Sequence, residues 1–132
     1  MRKLRVIIAD DEPMIIEKYR QIVSKRDDFE IIGLASNGDE EKKLIFELNP
    51  DVVITDNQMP ILNGIDVIEQ INNSDLVYKP KFIIITGDAR NLEFLNKCEK
   101  EKVTNVLRKP CPYDMLDSIL TDIRIIIEEE SI

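Results

Sequence analysis

The 132-residue chain reads as an α/β protein, five β-strands alternating with five helices around a parallel sheet. Three observations predict this. Short apolar, β-branched runs recur along the whole chain and alternate with segments of helical spacing. The runs lack the polar alternation of a half-exposed strand, as expected of a sheet covered on both faces. Proline, glycine and asparagine stand between these segments, where they punctuate rather than interrupt them. Strand and helix in alternation imply right-handed crossovers and helices on both sides of the sheet.

In chain order, Leu4 to Ala9 is the first strand. A helix follows, with Asp11 or Glu12 near its cap and Pro13 in its first turn, where a missing N–H costs little. Met14, Ile15, Tyr19, Ile22 and Val23 form its apolar stripe. Phe29 to Ala35 is the second strand, and Asn37-Gly38 turns the chain. The second helix runs from Asp39 to Asn49 with Leu44, Ile45 and Leu48 inward, and Pro50 stops it. Asp51 to Thr55 is the central strand. Gly64 or Ile65 opens a third helix to about Asn73, striped by Ile65, Ile68 and Ile71. Lys81 to Ile85, ending in Thr86, is the fourth strand, and Asn91 to about Lys100 the fourth helix. Val103 to Leu107 is the fifth strand. Pro112 stands near the start of a long last helix whose broad side carries Leu116, Ile119, Leu120, Ile123, Ile126 and Ile127. Glu128 to Ile132 is expected to fray. No linker, repeat or biased tract divides the chain, so residues 1–132 form one domain.

Composition narrows the chemistry. The chain has no histidine, which excludes a Ser-His or Cys-His nucleophile pair and a histidine-based metal site. Its net charge of −8 argues against a broad phosphate-binding face for nucleic acid. No apolar run approaches the length of a membrane span. The start, Met1-Arg2-Lys3-Leu4, lacks the apolar core of a signal peptide. Cys98 and Cys111 then read as reduced thiols, and the location as cytoplasmic.

The strand ends carry the function. Val52-Val53-Ile54-Thr55 runs straight into Asp56, with Met59-Pro60 and Gly64 behind it. The first strand ends in Asp10-Asp11, the fourth in Thr86, and the fifth is followed by Arg108-Lys109-Pro110. Each has an ordinary explanation in isolation: a cap or turn for the acids, β-propensity for the threonine, solvent for the lysine. In parallel strands all of them meet on one rim, where open α/β sheets place their ligands. Three clustered carboxylates repel one another and raise one another's pKa. A hard divalent cation such as Mg²⁺ relieves that and leaves room for a phosphate oxygen. A carboxylate there can accept a phosphoryl group, with a lysine ammonium offsetting charge and a threonine hydroxyl donating to the product.

The ordered set Asp10-Asp11, Asp56-x-x-Met59-Pro60-x-x-x-Gly64, Thr86-Gly87 and Lys109-Pro110 resembles a response-regulator receiver domain, from Leu4 to about Glu128. The resemblance implies a flavodoxin-like sheet of order 2-1-3-4-5. It implies that Asp56 takes phosphoryl from a histidine kinase or phosphotransfer protein. Asp11, Asp56 and the backbone carbonyl of Gln58 would bind Mg²⁺ (or Mn²⁺), with Asp10 assisting through water. Lys109 would contact the phosphoryl group, Thr86 would be the switch hydroxyl, and Gly87 would leave room beside it. Gln58 and Asp88 would flank the phosphoryl group and tune its lifetime, and the bond before Pro110 would be cis. The position three before the lysine, where the family usually has an aromatic, is Val106. The switch is then expected to travel through the loop from Gly87 to Asn91 and the fourth helix. Leu92 and Leu95 would face inward there, with Phe94 either outward as a partner anchor or a partly buried rim residue, and Ile125 extending the patch. An output domain or a homodimer would use the face of helix 4, strand 5 and helix 5. A small-molecule phosphatase with an aspartyl-phosphate intermediate is the competing reading. Gln58, where such enzymes commonly have an acid, and the lack of residues for a substrate cap argue against it. The intact acids, Thr86 and Lys109 argue against a binding-only pseudo-receiver.

Overall fold

The computed structural model describes residues 2–131. The elements alternate as β1 (Leu4–Ala9), α1 (Pro13–Ser24), β2 (Phe29–Ala35), α2 (Gly38–Leu48), β3 (Val52–Thr55), α3 (Gly64–Asn72), β4 (Lys81–Thr86), α4 (Leu92–Lys100), β5 (Asn105–Arg108) and α5 (Tyr113–Glu130). All pairings are parallel and the strand order is β2-β1-β3-β4-β5. That is the flavodoxin-like order, with its topological switch point between β1 and β3.

Both faces of the sheet are apolar, so its alternation is invisible as polarity and appears only as two cores. Leu4, Val6, Ile8, Val52, Ile54, Ile83 and Ile85 point to the side covered by α1 and α5. Ile7, Val53, Phe82 and Ile84 point to the side covered by α2, α3 and α4. Burial of these branched side chains, each contributing roughly 1.5–3 kcal/mol, is the main stabilising force. The edge of the sheet opposite the acids is held by charge. Asp51 is buried and accepts hydrogen bonds from the two terminal guanidinium nitrogens of Arg2, the Arg5 N–H and the Tyr78 hydroxyl. Arg124, buried in α5, donates to the carbonyls of Asp28 and Arg2 and so ties the last helix to the entry of β1.

Several expected orientations change. Phe94 is 8% exposed and joins the α3–α4 core, whereas Leu92 is 75% exposed. Asn91 caps α4 by accepting from the Phe94 N–H, which sets the helix phase so that Phe94 and Cys98 point inward. The expected outward anchor is therefore part of the core. Leu95 does pack on that core, half-buried. Met14 is exposed while Ile15 and Ile16 beside it pack on the core, and Ile126 is more exposed than its stripe implied. The last helix continues through Glu130 rather than fraying at Glu128, with Lys81 paired to Glu130; Ile132 lies outside the described residues. No helix among the described residues is long and apolar enough to cross a membrane.

Gly64 sets the geometry of the loop after β3. A Cβ there would lie 2.2 Å from the Asp56 carbonyl oxygen and 3.2 Å from Thr55 Oγ1. The residue is glycine for close approach, not for a left-handed backbone, since no glycine here has positive φ. Gly64→Ala is expected to destabilise the protein by about 2–3 kcal/mol, as overpacking against backbone does. A urea midpoint equal to that of the parent would show that the loop can yield.

Candidate functional site

β1, β3, β4 and β5 deliver their last residues to one rim. Asp10 follows β1 and is fully buried; its Oδ1 accepts from the Glu12 N–H at 2.9 Å, which shapes the turn into α1. Asp11 is exposed on the same turn. Asp56 follows β3 and is buried. Its Oδ1 accepts from the Asn57 N–H at 2.7 Å. The Lys109 ammonium reaches in from beyond β5 and donates to Asp10 Oδ2 at 2.9 Å and to Asp56 Oδ2 at 3.0 Å. Carboxylate oxygens of Asp10, Asp11 and Asp56 lie within 4.8 Å of one another.

The electrostatics follow. Burial pushes the Asp10 carboxyl above its usual range, opposed by Lys109 and the Glu12 N–H. Burial alone would lower Lys109; its hydrogen bonds to Asp10 and Asp56 outweigh that and hold the ammonium above its usual value. Three carboxylates against one ammonium leave an excess of negative charge at the rim when all are ionised. The donor set is oxygen only, and hard. These features fit Mg²⁺ or Mn²⁺ and disfavour softer metals.

Thr86, fully buried at the end of β4, accepts from the Asp88 N–H at 3.4 Å through its hydroxyl. Gly87 is exposed, and a Cβ there would meet only Gln58 Oε1, at 4.0 Å, so the space in front of it is open. Gln58 thus extends over the start of the 87–90 turn, while the Asp88 carboxylate points to Asn57 Nδ2 at 3.0 Å. Val106 is half-buried against the α3–α4 core. The Lys109-Pro110 peptide is cis.

Two residues at the site went unread in the sequence. Asn57 was only a loop residue after Asp56, yet it is buried and uses every polar atom of its side chain and backbone. Glu41 stood in a run of helix-surface charges, yet it is fully buried in α2. Glu41 Oε1 pairs with Thr55 Oγ1 at 3.1 Å, Oε2 has no partner, and Thr55 Oγ1 also contacts the Asp56 carbonyl oxygen at 2.9 Å. Only the burial pattern of the folded helix separates Glu41 from its neighbours Glu40 and Lys42.

The description "Response regulator receiver domain" matches residues 6–123, and the chain belongs to this family. It is 30% identical over 121 residues to the transcriptional regulatory protein BtsR of Salmonella typhi, covering 92% of this chain and 48% of that protein. It is 30% identical over 119 residues to the probable C4-dicarboxylate response regulator DctR of Priestia megaterium, covering 90% and 51%. The chain therefore spans about half the length of these relatives. Among solved structures, a LuxR-family DNA-binding response regulator from Staphylococcus aureus superposes with a TM-score of 0.82 at 29% identity, covering 91% of this chain and 98% of that one. The receiver domain of AraT, a response regulator from Geobacillus stearothermophilus, gives 0.86 at 25% identity, covering 98% of each.

Proposed function

We propose that the chain is a single receiver domain over residues 1–132 that accepts a phosphoryl group on Asp56 from a histidine kinase or phosphotransfer protein in the cytoplasm. The observation that carries this reading is Lys109, whose ammonium bridges Asp10 and Asp56 beside Asp11. A lysine so placed already neutralises an acceptor carboxylate and lies where charge on a transferring phosphoryl group would develop.

An Asp56 carboxylate oxygen forms the new bond to phosphorus. The P–N bond to the donor imidazole breaks, its electron pair stays on the ring nitrogen, and that nitrogen is later reprotonated. Asp11, Asp56 and the Gln58 carbonyl would hold Mg²⁺ or Mn²⁺, with Asp10 assisting through water. The cation, when bound, supplies charge neutralisation for the phosphoryl oxygens. Lys109 donates to one of those oxygens in place of its bond to Asp56. Thr86 turns its hydroxyl to another, and Gly87 leaves the space for it. Gln58, over the turn, and Asp88, two residues past Thr86, govern access of water and so the lifetime. The loop from Gly87 to Asn91 then carries the change to α4, β5 and α5. The exposed Leu92, Ile125 and Ile126 are apolar positions there for an output domain or a second copy.

Incubation with acetyl phosphate and Mg²⁺ is expected to add one phosphoryl group, stable to acid and removed by hydroxylamine. No mass increase under these conditions, or a hydroxylamine-resistant one, would falsify the reading.

A further inference from the structure

Asn57 is the point at which the acceptor, the α3 start and the switch loop meet. Its N–H donates to Asp56 Oδ1, and its carbonyl accepts from the Gly64 N–H at 2.9 Å. Its side-chain oxygen accepts from the Ile65 N–H at 3.0 Å and so caps the first turn of α3, where Asn63, in the cap position, makes no such bond. This fixes the carboxamide: the oxygen must face the helix N–H, which leaves the NH₂ for the Asp88 carboxylate at 3.0 Å. Asn57 is 5% exposed and its backbone is pinned on both sides, so it is a fixed post. Asp88 belongs to the 87–90 turn, which is closed by the Asn91 N–H donating to the Asp88 carbonyl.

We propose that Asn57 is a positioning residue whose carboxamide latches the switch loop, through Asp88, in its unphosphorylated arrangement. The same residue of the loop holds Thr86: the Asp88 N–H donates to the Thr86 hydroxyl. A turn of Thr86 toward a phosphoryl group on Asp56 opens that contact and releases the Asp88 backbone to shift with the loop. The Asn57 bond to a charged carboxylate opposes the shift. Room for it exists, since Asn57 and Asp88 border a cavity of about 270 Å³ between α3 and α4 that also touches Asn91 and Phe94. The latch thereby favours the resting arrangement, and the free energy of phosphorylation must exceed it before the loop moves. This inference deepens the phospho-acceptor reading and rests on it for its second measurement only.

The test uses three variants of the chain. Asp88→Ala removes the latch and leaves the α3 cap intact. Asn57→Asp keeps an oxygen for the Ile65 N–H but sets a carboxylate against Asp88. Asp88→Asn keeps an acceptor for the Asn57 amide. In the unphosphorylated protein, amide exchange from Gly87 to Asn91 is expected to quicken in Asp88→Ala and Asn57→Asp and to stay near the parent rate in Asp88→Asn. Beryllofluoride with Mg²⁺, a phosphoryl mimic on Asp56, is expected to bind Asp88→Ala about tenfold more tightly, since a hydrogen bond to a charged group no longer opposes the shift. Adding Asn57→Asp to Asp88→Ala should give no further acceleration of exchange, because both break one contact. A merely structural role would weaken the mimic instead of strengthening it. Unchanged exchange in Asp88→Ala, or weaker beryllofluoride binding by it, overturns the latch. Failure of the parent to bind beryllofluoride at all counts against the phospho-acceptor reading, and the exchange comparison still decides the latch.

Discussion

Asp56→Asn is expected to take up no phosphoryl group from acetyl phosphate, while keeping the parent fold. The loss should be complete because the substitution removes two functions at once. An amide is not a nucleophile toward phosphorus at neutral pH, and it withdraws one anion from the three-carboxylate cluster. The surroundings add a third difficulty. One Asp56 oxygen accepts from the Asn57 N–H and the other from the Lys109 ammonium, so both positions demand an acceptor. An asparagine offers one acceptor and one donor, and whichever way it turns, a donor faces a donor. Lys109 would then rest on Asp10 alone. The fold should stand nevertheless, because Asp56 lies beyond the end of β3 and the core contacts of Val52, Val53 and Ile54 are untouched. Relief of carboxylate repulsion even favours the variant. Intact-mass measurement after incubation with acetyl phosphate and Mg²⁺ checks the first point and thermal unfolding the second. Labelling of Asp56→Asn equal to the parent would move the acceptor elsewhere.

What was legible in the sequence follows from which interactions are local. The elements were readable because apolar runs, Pro13, Pro50 and the turn residues act over a few positions. The rim residues were readable because parallel strands bring their carboxyl ends together whatever the sequence between them. The phase of α4 was not. Leu92, Phe94 and Leu95 offer competing apolar faces, and the choice is made by the Asn91 cap together with the space beneath Phe94. Phe94 buries more apolar area than Leu92 can, so it takes the interior. Asn57 was unreadable for a different reason. An asparagine after a strand serves equally as a turn former, and the partners that define it, Ile65 and Asp88, lie 8 and 31 positions away. Long-range polar contacts of this kind have no periodicity to betray them.

Glu41 follows the same logic and carries the largest expected effect on stability. Its carboxyl is fully buried, and that burial pushes its pKa from 4.5 to about 8. The hydrogen-bond geometry agrees with a neutral acid. Thr55 has one hydroxyl proton but two oxygen neighbours, Glu41 Oε1 and the Asp56 carbonyl. Both contacts are satisfied only if Glu41 donates to Thr55 and Thr55 donates to Asp56, which requires the acid to be protonated. Between pH 4.5 and about 8 the folded chain then holds a proton that the unfolded chain releases. Stability must therefore fall as pH rises across that window, by about 1.4 kcal/mol per unit at most, and level off above it. Asp10 has the same sign, so the parent profile alone does not isolate Glu41. Glu41→Gln does. Its amide N–H can replace the acid O–H as donor to Thr55, and it has nothing to ionise. At pH 5 the variant should lie within about 1 kcal/mol of the parent, near the net worth of one hydrogen bond. At pH 8 it should be more stable by on the order of 3 kcal/mol, a rise in Tm of roughly 10 °C for a domain of this size. Thermal unfolding of both proteins from pH 5 to pH 8 measures the difference. Parallel curves would mean that Glu41 is ionised in the folded chain and that the proton linking α2 to the Asp56 backbone is not there.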